Sequence, residues 1–394
     1  MVVKKDVLRE YSVKMRHAKN HALNHLHMAI YSKSLGTPWM GVRLAEPMPI
    51  YDMNSEPLFY DFPAVSSDGA QLGTVRASAN RVIGEPVPSV FFGEPRADVG
   101  RAILGAQEIV RKKYRGRMFG TRMVCYAYPK VGILVSWENR RGEGTQTLFD
   151  VGDLSVVPES VESGLRGPGV WSVYDTISPR TVRRNVKRYG DYDKVLGKVK
   201  RRSKLDLSQI HSIEDFQSVQ SAVAVVVAFF TTKIVTFCTH SYSHECYRMH
   251  AQENGYYCVV ATGQMILDFW RYYLTQNQIA TAMGTTTGGT GYAGEVNGLE
   301  ALTCSHFDAA SDMSPTFAKV KTEINANRPF DYSYSYHAMA CAGYRQQNIA
   351  LVGTTPVRSV YLYDPSPVNV GAIRWETWGS GISAVDGFVY LRRS

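Results

Sequence analysis

The segment Asp331–Tyr344, DYSYSYHAMACAGY, alternates between two sets of side chains. Successive residues of a strand point to opposite faces, so a period of two commits this stretch to a sheet. Ser333, Ser335, His337, Met339 and Cys341 share one face, and Tyr332, Tyr334, Tyr336, Ala338 and Ala340 the other. A second strand, RSVYLYDPSP, starts at Arg358 and ends at Asp364, where Pro365 cannot donate to a ladder. Positions 337 and 364 are equidistant from the midpoint between Ala350 and Leu351. A symmetric antiparallel hairpin would therefore set His337 directly opposite Asp364.

Upstream, HAQENGYYCVVATGQMILDFW runs from His250 to Trp270. Val259, Val260, Met265, Ile266, Phe269, Trp270 and Tyr273 fall largely on one helical face, which predicts a helix starting near Cys258. A thiol at a helix N-terminus feels the positive end of the peptide dipoles, which favours the thiolate. Gly255 permits a tight loop before the helix, and the Gln252 amide could then donate to an oxyanion beside the sulfur. A nucleophilic cysteine also needs a base, and the base an orienter, and His337 and Asp364 are of those types. Taken alone, Cys258 reads equally well as one more buried core thiol. Thr275 and Gln278 form a capping box for a short helix that Gly284 closes.

Gln-x5-Cys at a helix start, then His on a strand, then Asp at a strand end resembles the papain-like cysteine peptidases. GYYCVVATGQMIL, LTQNQIATAMGT, YHAMACAGY and VYLYDPSP are similar to the compact bacterial branch, the double-glycine leader peptidases, with streptopain a more distant relative. The resemblance covers the C-terminal domain only. It implies an α+β fold with a helix carrying Cys and an antiparallel sheet carrying His and Asp. It further implies Cys258 as nucleophile, His337 as general base and then acid, Asp364 as orienter and Gln252 as oxyanion donor. Asp stands where papain has Asn. In this family a Gly-rich loop follows the short helix near the cleft, here TTTGGTGY. The implied activity is cleavage of peptide or isopeptide bonds through an acyl-enzyme, with no cofactor and no metal. The same triad could serve an acyltransferase, and the same fold could serve a non-catalytic binding or interaction protein.

At 394 residues the chain has room for about two or three domains. Its 44% hydrophobic and 11% aromatic content marks it as globular. The expected organisation is an N-terminal helical segment at 1–45, an α+β pro- or regulatory-like domain at 46–170, a basic linker and helix at 171–237, and the papain-like domain at 238–394. Ser12 to Leu35 reads as a helix whose His17, His21 and His25 recur at four-residue spacing. No carboxylate or thiol accompanies them in sequence, so they read as a polar face. PLFYDFP, QLGTVRASA, RMVCYAYP, VGILVSW and TQTLFDV read as strands, Arg96 to Arg115 as a helix, and Ile213 to Phe230 as another. This half shows no chemical constellation. It resembles, more weakly, the inhibitory domains that precede such peptidases, which implies a self-inhibited precursor, a zymogen, restrained intramolecularly by the N-terminal domain.

The net charge of +9 is local. Residues 177–204 hold 11 Lys/Arg against 2 Asp, and the remainder balances at 33 basic against 33 acidic. A nucleic-acid-binding fold spreads basic residues over a folded face, so nucleic acid is not the expected partner. The basic stretch reads as a solvated connector, with a hinge or processing site as its use. Just upstream of Gln252, CTHSYSHECYRMH offers Cys238, His240, His244, Cys246 and His250 at short spacings, without the pairing of a familiar zinc finger. A polar approach to the active-site loop is the simpler reading. Six scattered cysteines without a CxxC pair argue against a disulfide scaffold and favour a reducing compartment. The N-terminus shows no secretory signal. The most apolar window, AVAVVVAFF, falls short of the roughly 20 residues that span a bilayer. The expectation is a cytoplasmic protein acting on a peptide or protein substrate, with unconventional export left open.

Overall fold

The computed structural model describes residues 3–31, 35, 37–93, 98–159, 164–203, 227–235, 248–349, 357–379, 382 and 384–394. Strands β1 (Arg43–Leu44), β2 (Met48–Asp52), β3 (Pro57–Val65), β4 (Gln71–Ser78) and β5 (Ser89–Phe92) follow helices α1 (Lys5–Glu10) and α2 (Met15–Tyr31). Helix α3 (Val99–Ile109) leads to the meander β6 (Arg117–Ala127), β7 (Lys130–Glu138) and β8 (Gly144–Asp150). After α4 (Val173–Thr176), α5 (Pro179–Ser203) and β9 (Val227–Ile234), the C-terminal part begins. It contains α6 (Cys258–Phe269), α7 (Gln276–Met283), α8 (Tyr292–Leu302), β10 (Phe307–Asp312) and α9 (Phe317–Asn325). It ends with β11 (Phe330–Tyr334), β12 (His337–Ile349), β13 (Val357–Asp364), β14 (Ala372–Thr377) and β15 (Gly387–Arg393). The fold is α+β, as expected.

One sheet threads both halves in the order β10-β15-β11-β12-β13-β14-β5-β4-β3-β2-β6-β7-β8. All neighbours are antiparallel except β2 and β6. Strand β14 pairs with β5, so the C-terminal sheet continues into the N-terminal one through backbone hydrogen bonds. Buried residues on one side of the C-terminal strands, including Tyr332, Tyr334, Met339 and Leu362, join a core that also holds Phe59, Tyr128 and Phe149. On the other side, Ala338, Ala340 and Ala342 pack under α6 with Val259, Met265 and Leu267. Three alanines in alternate positions let the helix lie close against β12.

Three sequence expectations change. The alternating DYSYSYHAMACAGY segment is two strands, not one, reversed by a turn at Ser335 and Tyr336. The fold back pairs Tyr334 with His337 and Tyr332 with Met339, so these tyrosines share a face with His337's strand set instead of opposing it. A tight hairpin preserves alternation in each arm while resetting which residues share a face. Second, the β12–β13 register pairs Ala340 with Tyr363 and carries a bulge between Cys341 and Gly343. Continued, it sets Met339 across from Asp364, so His337 and Asp364 are diagonal neighbours. Third, the basic stretch is the 25-residue helix α5, not a solvated connector. Val182, Tyr189, Val195, Leu196 and Val199 are buried, while the Lys and Arg residues occupy the remaining turns. The helix expected at 213–230 ends as strand β9, which pairs with β12; its residues 213–226 lie outside the described set.

Candidate active site

Cys258 is the first residue of α6, and Tyr257 before it supplies no side-chain cap. The first-turn N–H groups of the helix therefore face the sulfur's surroundings without a competing cap. The thiol is fully buried. Burial pushes it up, but the His337 ring and then the Lys130 ammonium outweigh burial and hold it below its ordinary value, at about 7.

His337 opens β12 directly after the two-residue turn, which places its ring at the end of the strand beside the start of α6. Its Nε2 donates to Asp364 Oδ1 at 2.6 Å. Its Nδ1 is buried with no oxygen or nitrogen partner, and the Cys258 thiol interacts with this ring. Burial would lower the imidazole, yet the Asp364 carboxylate raises it above its usual value. Asp364 is the last residue of β13 and accepts the Ser366 N–H at 2.9 Å. Arg374 Nη1 donates to its other oxygen. His337 and Arg374 together hold the Asp364 carboxyl well below the usual carboxylate range despite burial. Arg374 is bonded in turn to Glu376 at 2.7 Å, and Tyr334 Oη donates to Glu376. The sequence reading missed Arg374. Its signal was a charged pair two residues apart, Arg374 and Glu376, on one face of an otherwise apolar strand.

Gln252, six residues before Cys258, is buried, with its backbone N–H on Pro365 O at 3.0 Å and its C=O accepting from Asn369 N at 2.8 Å. Both partners lie in the loop after Asp364, so Gln252 and Asp364 are tied through backbone. Its side-chain Nε2 donates to Asn254 O at 2.8 Å, and Oε1 is buried without a partner. The structure thus brings Cys258, His337 and Asp364 together and holds Gln252 on the adjoining loop. The expected capping box at Thr275 and Gln278 is present, and Gly284 closes α7 at φ 62°.

The N-terminal half, in which no chemistry was expected, reaches this site with two basic residues. Lys130, buried at the start of β7, lies close enough to influence both Cys258 and His337, and its Nζ donates to Gly167 O at 3.5 Å. The Cys258 thiol donates to Arg166 O at 3.7 Å. Arg166 also forms an isolated antiparallel bridge with Thr290, N to O at 3.1 Å and O to N at 3.3 Å. Its guanidinium enters a buried space where it meets Glu295 at 2.5 Å, Asp331 at 2.9 Å and Ser333 at 2.7 Å. The Tyr292 ring lies 4.0 Å from its centre. Beyond Arg166, Trp171 rests on Tyr336 with ring centroids 4.4 Å apart and donates its backbone N–H to Tyr126 O. Sequence reading offered no signal for Arg166 or Lys130, because their significance rests on contacts between distant segments.

Two candidate metal groups resolve differently. His17 and His21 both donate to Asp193 Oδ1, at 2.7 and 2.9 Å, so a carboxylate absent from their own segment arrives from α5. Arg81 occupies the other Asp193 oxygen at 2.8 Å, and the cluster is a polar clamp between α2 and α5. Of the upstream set, His250 is paired with Asp268 at 2.6 Å, and Cys238, His240, His244 and Cys246 lie outside the described residues.

Residues 245–380 match the family described as Peptidase_C39 like family. Two solved structures are similar. One is a double glycine motif protease from an AMS/PCAT transporter in complex with the leader peptide, 13% identical, with a TM-score of 0.28 over 37% of this chain and 91% of that one. The other is the peptidase domain of Streptococcus ComA, a bi-functional ABC transporter involved in a quorum sensing pathway, 14% identical, with a TM-score of 0.30 over 38% of this chain and 99% of that one. No curated protein matches the chain. The C-terminal part resembles the cysteine peptidases of this branch, and its fold is papain-like α+β. Among the described residues, no helix is long and apolar enough to cross a membrane.

Proposed function

We propose that the protein is a cysteine peptidase that acts through an acyl-enzyme on Cys258 and is self-inhibited by its N-terminal half. The observation that carries this reading is the buried Cys258 thiol at the start of α6 beside the His337 ring, whose Nε2 is bonded to the buried Asp364 carboxylate at 2.6 Å. A sulfur poised near neutrality next to an imidazolium is the state a nucleophilic cysteine requires.

In this mechanism the Cys258 thiolate attacks a peptide carbonyl carbon, and the carbonyl electrons move to oxygen. The Cys258 N–H, at the start of α6, donates to that oxyanion. Gln252 Nε2 joins it by turning from Asn254 O. His337 then gives its Nδ1 proton to the leaving amine as the C–N bond breaks, leaving a thioester. Water, deprotonated by His337, attacks the thioester carbon, the C–S bond breaks, the carboxylic acid product leaves, and the sulfur departs as thiolate beside the protonated imidazole. Asp364, held by Arg374, keeps Nε2–H engaged so that Nδ1 faces the sulfur.

Self-inhibition is supported by the Arg166 carbonyl, which the Cys258 thiol contacts oxygen-first. A carbonyl presenting its oxygen to the sulfur is turned away from the geometry of attack, so segment 164–169 covers the nucleophile without being a substrate in that pose. Treatment with an iodoacetamide-type probe, comparing the intact chain with Cys258→Ala and His337→Ala, tests the whole reading. Labelling of Cys258 should depend on His337 and accelerate when Arg166 is replaced by Ala. Uniform slow labelling of several cysteines, regardless of His337, would leave a non-catalytic binding protein on the same fold.

A further inference from the structure

We propose that Glu295, Asp331, Ser333 and Tyr292 form a guanidinium-binding specificity subsite of the cleft, so that substrates carry arginine followed by glycine. This deepens the peptidase reading and rests on it for its catalytic meaning. Segment 164–169, GLRGPG, shows the subsite occupied by the chain's own arginine.

The four side chains that meet the guanidinium all come from the C-terminal part. Glu295 projects from α8, Asp331 and Ser333 from β11, and Tyr292 opens α8. The occupant comes from elsewhere in the sequence and belongs to no regular element. Its backbone forms the two-bond antiparallel bridge with Thr290 by which an extended peptide adds to a free edge. The carbonyl of the same residue contacts Cys258 Sγ. One residue therefore spans both the pocket and the nucleophile, as a bound peptide residue would.

The pocket chemistry selects arginine over other side chains. A guanidinium donates in a planar fork to two carboxylates and a hydroxyl while its face lies on an aromatic ring. A lysine has three donors for these acceptors but neither the two-nitrogen fork that reaches both acids nor a planar face to lay on the Tyr292 ring. Burial and the neighbouring Asp331 push Glu295 well above its usual range, so two acids share the pocket at a cost that a bound cation relieves. Glu295 Oε1 is left buried without a partner even with Arg166 in place. A leucine there would leave both acids buried without a cationic partner, with only the Ser333 hydroxyl on Asp331.

The following position has little space. A Cβ on Gly167 would meet Gly288 O at 2.1 Å, and one on Gly289 would meet Arg166 O at 1.9 Å. Close backbone approach on both sides of the bridge thus asks for glycine after the arginine and glycine in the loop that receives it.

Binding can be measured without chemistry. The full chain carrying Cys258→Ala and Arg166→Ala, which empties the pocket, is titrated by calorimetry with the peptide Gly-Leu-Arg-Gly-Pro-Gly. The same peptide with Leu or Lys in place of Arg is compared. The arginine peptide should bind about 100-fold tighter than the leucine peptide, with lysine between them. Adding Asp331→Asn should bring arginine close to leucine. If Arg166→Ala does not fold, Gly167→Ala replaces it, because its added Cβ expels the segment by collision with Gly288 while the charge stays in the chain. Equal affinity for arginine and leucine peptides, or no binding by either in a folded variant, overturns the subsite. Failure of the peptidase reading is separate: arginine-selective binding without His337-dependent labelling keeps the pocket in a binding protein. Labelling without arginine selectivity removes the pocket and keeps the peptidase.

Discussion

Cys258, at the start of α6, and Cys341, on β12, are both fully buried thiols, yet their acidities lie far apart. Cys341 donates to Gly343 O at 3.6 Å and, among the described residues, no cation offsets its burial, which pushes it up to about 12. Cys258 has the same burial but faces His337 and Lys130, and is held at about 7. The histidines repeat the contrast. Burial holds His27 at about 4, whereas Asp364 lifts His337, buried still more deeply, above its ordinary value. Burial alone makes an inert group, and a charged partner placed inside the same burial makes a reactive one.

The sharpest break of this comparison is His337→Ala in a chain that also carries Arg166→Ala, the change expected to uncover Cys258 if segment 164–169 is inhibitory as proposed. Hydrolysis should fall by about 10³–10⁴-fold, while Cys341 stays as unreactive as before. A small loss, read from peptide turnover, would mean that the imidazole does not activate the sulfur. Asp364→Asn comes next. It removes the charge that raises His337, so the thiol should move up toward the ordinary value of about 8.5 and label roughly 10-fold slower at pH 7. The sign follows from deprotonation: in the Arg166→Ala parent, labelling climbs as pH rises through about 7, and in the variant that climb should shift upward.

Lys130→Met isolates the contribution of the N-terminal half. Losing its ammonium should raise the thiol by less than the His337 effect and slow labelling at pH 7 about 3-fold, read from the same pH profile. Cys341→Ala should leave Cys258 labelling untouched and lower stability by about 1–2 kcal/mol in urea denaturation. The smallest effect belongs to His27. Held low in the folded state, it binds fewer protons than the unfolded chain, so it removes stability as pH falls from about 6.5 toward 4. His27→Gln should flatten that part of the acid limb. His337 runs the other way: its raised value contributes stability below about 6.5 that is lost as pH rises through it.

Much of the site was legible before folding. Helix α6 begins at Cys258, the capping box of α7 is closed, and His337 and Asp364 stand at strand ends, because apolar period, caps and proline act within a few residues. Their mutual placement was read through the wrong hairpin. The turn at Ser335 and Tyr336 lacks the Gly or Asn that marks a tight turn, so one alternating run hid two strands. The basic helix α5 was hidden by its surface charge, which masks an apolar stripe when only net charge is weighed.

Local order along the chain determined which residue types could perform thiol chemistry and on which elements they sit. The tertiary structure alone decided that β14 joins β5, that Lys130 and Arg166 cross from the other half, and that Asp193 meets His17 and His21. Caps and periodicities are set by neighbours three or four residues apart, and a sequence displays them. A buried charge is stable only beside its counter-charge, and which distant segment brings that partner is settled when the whole sheet closes.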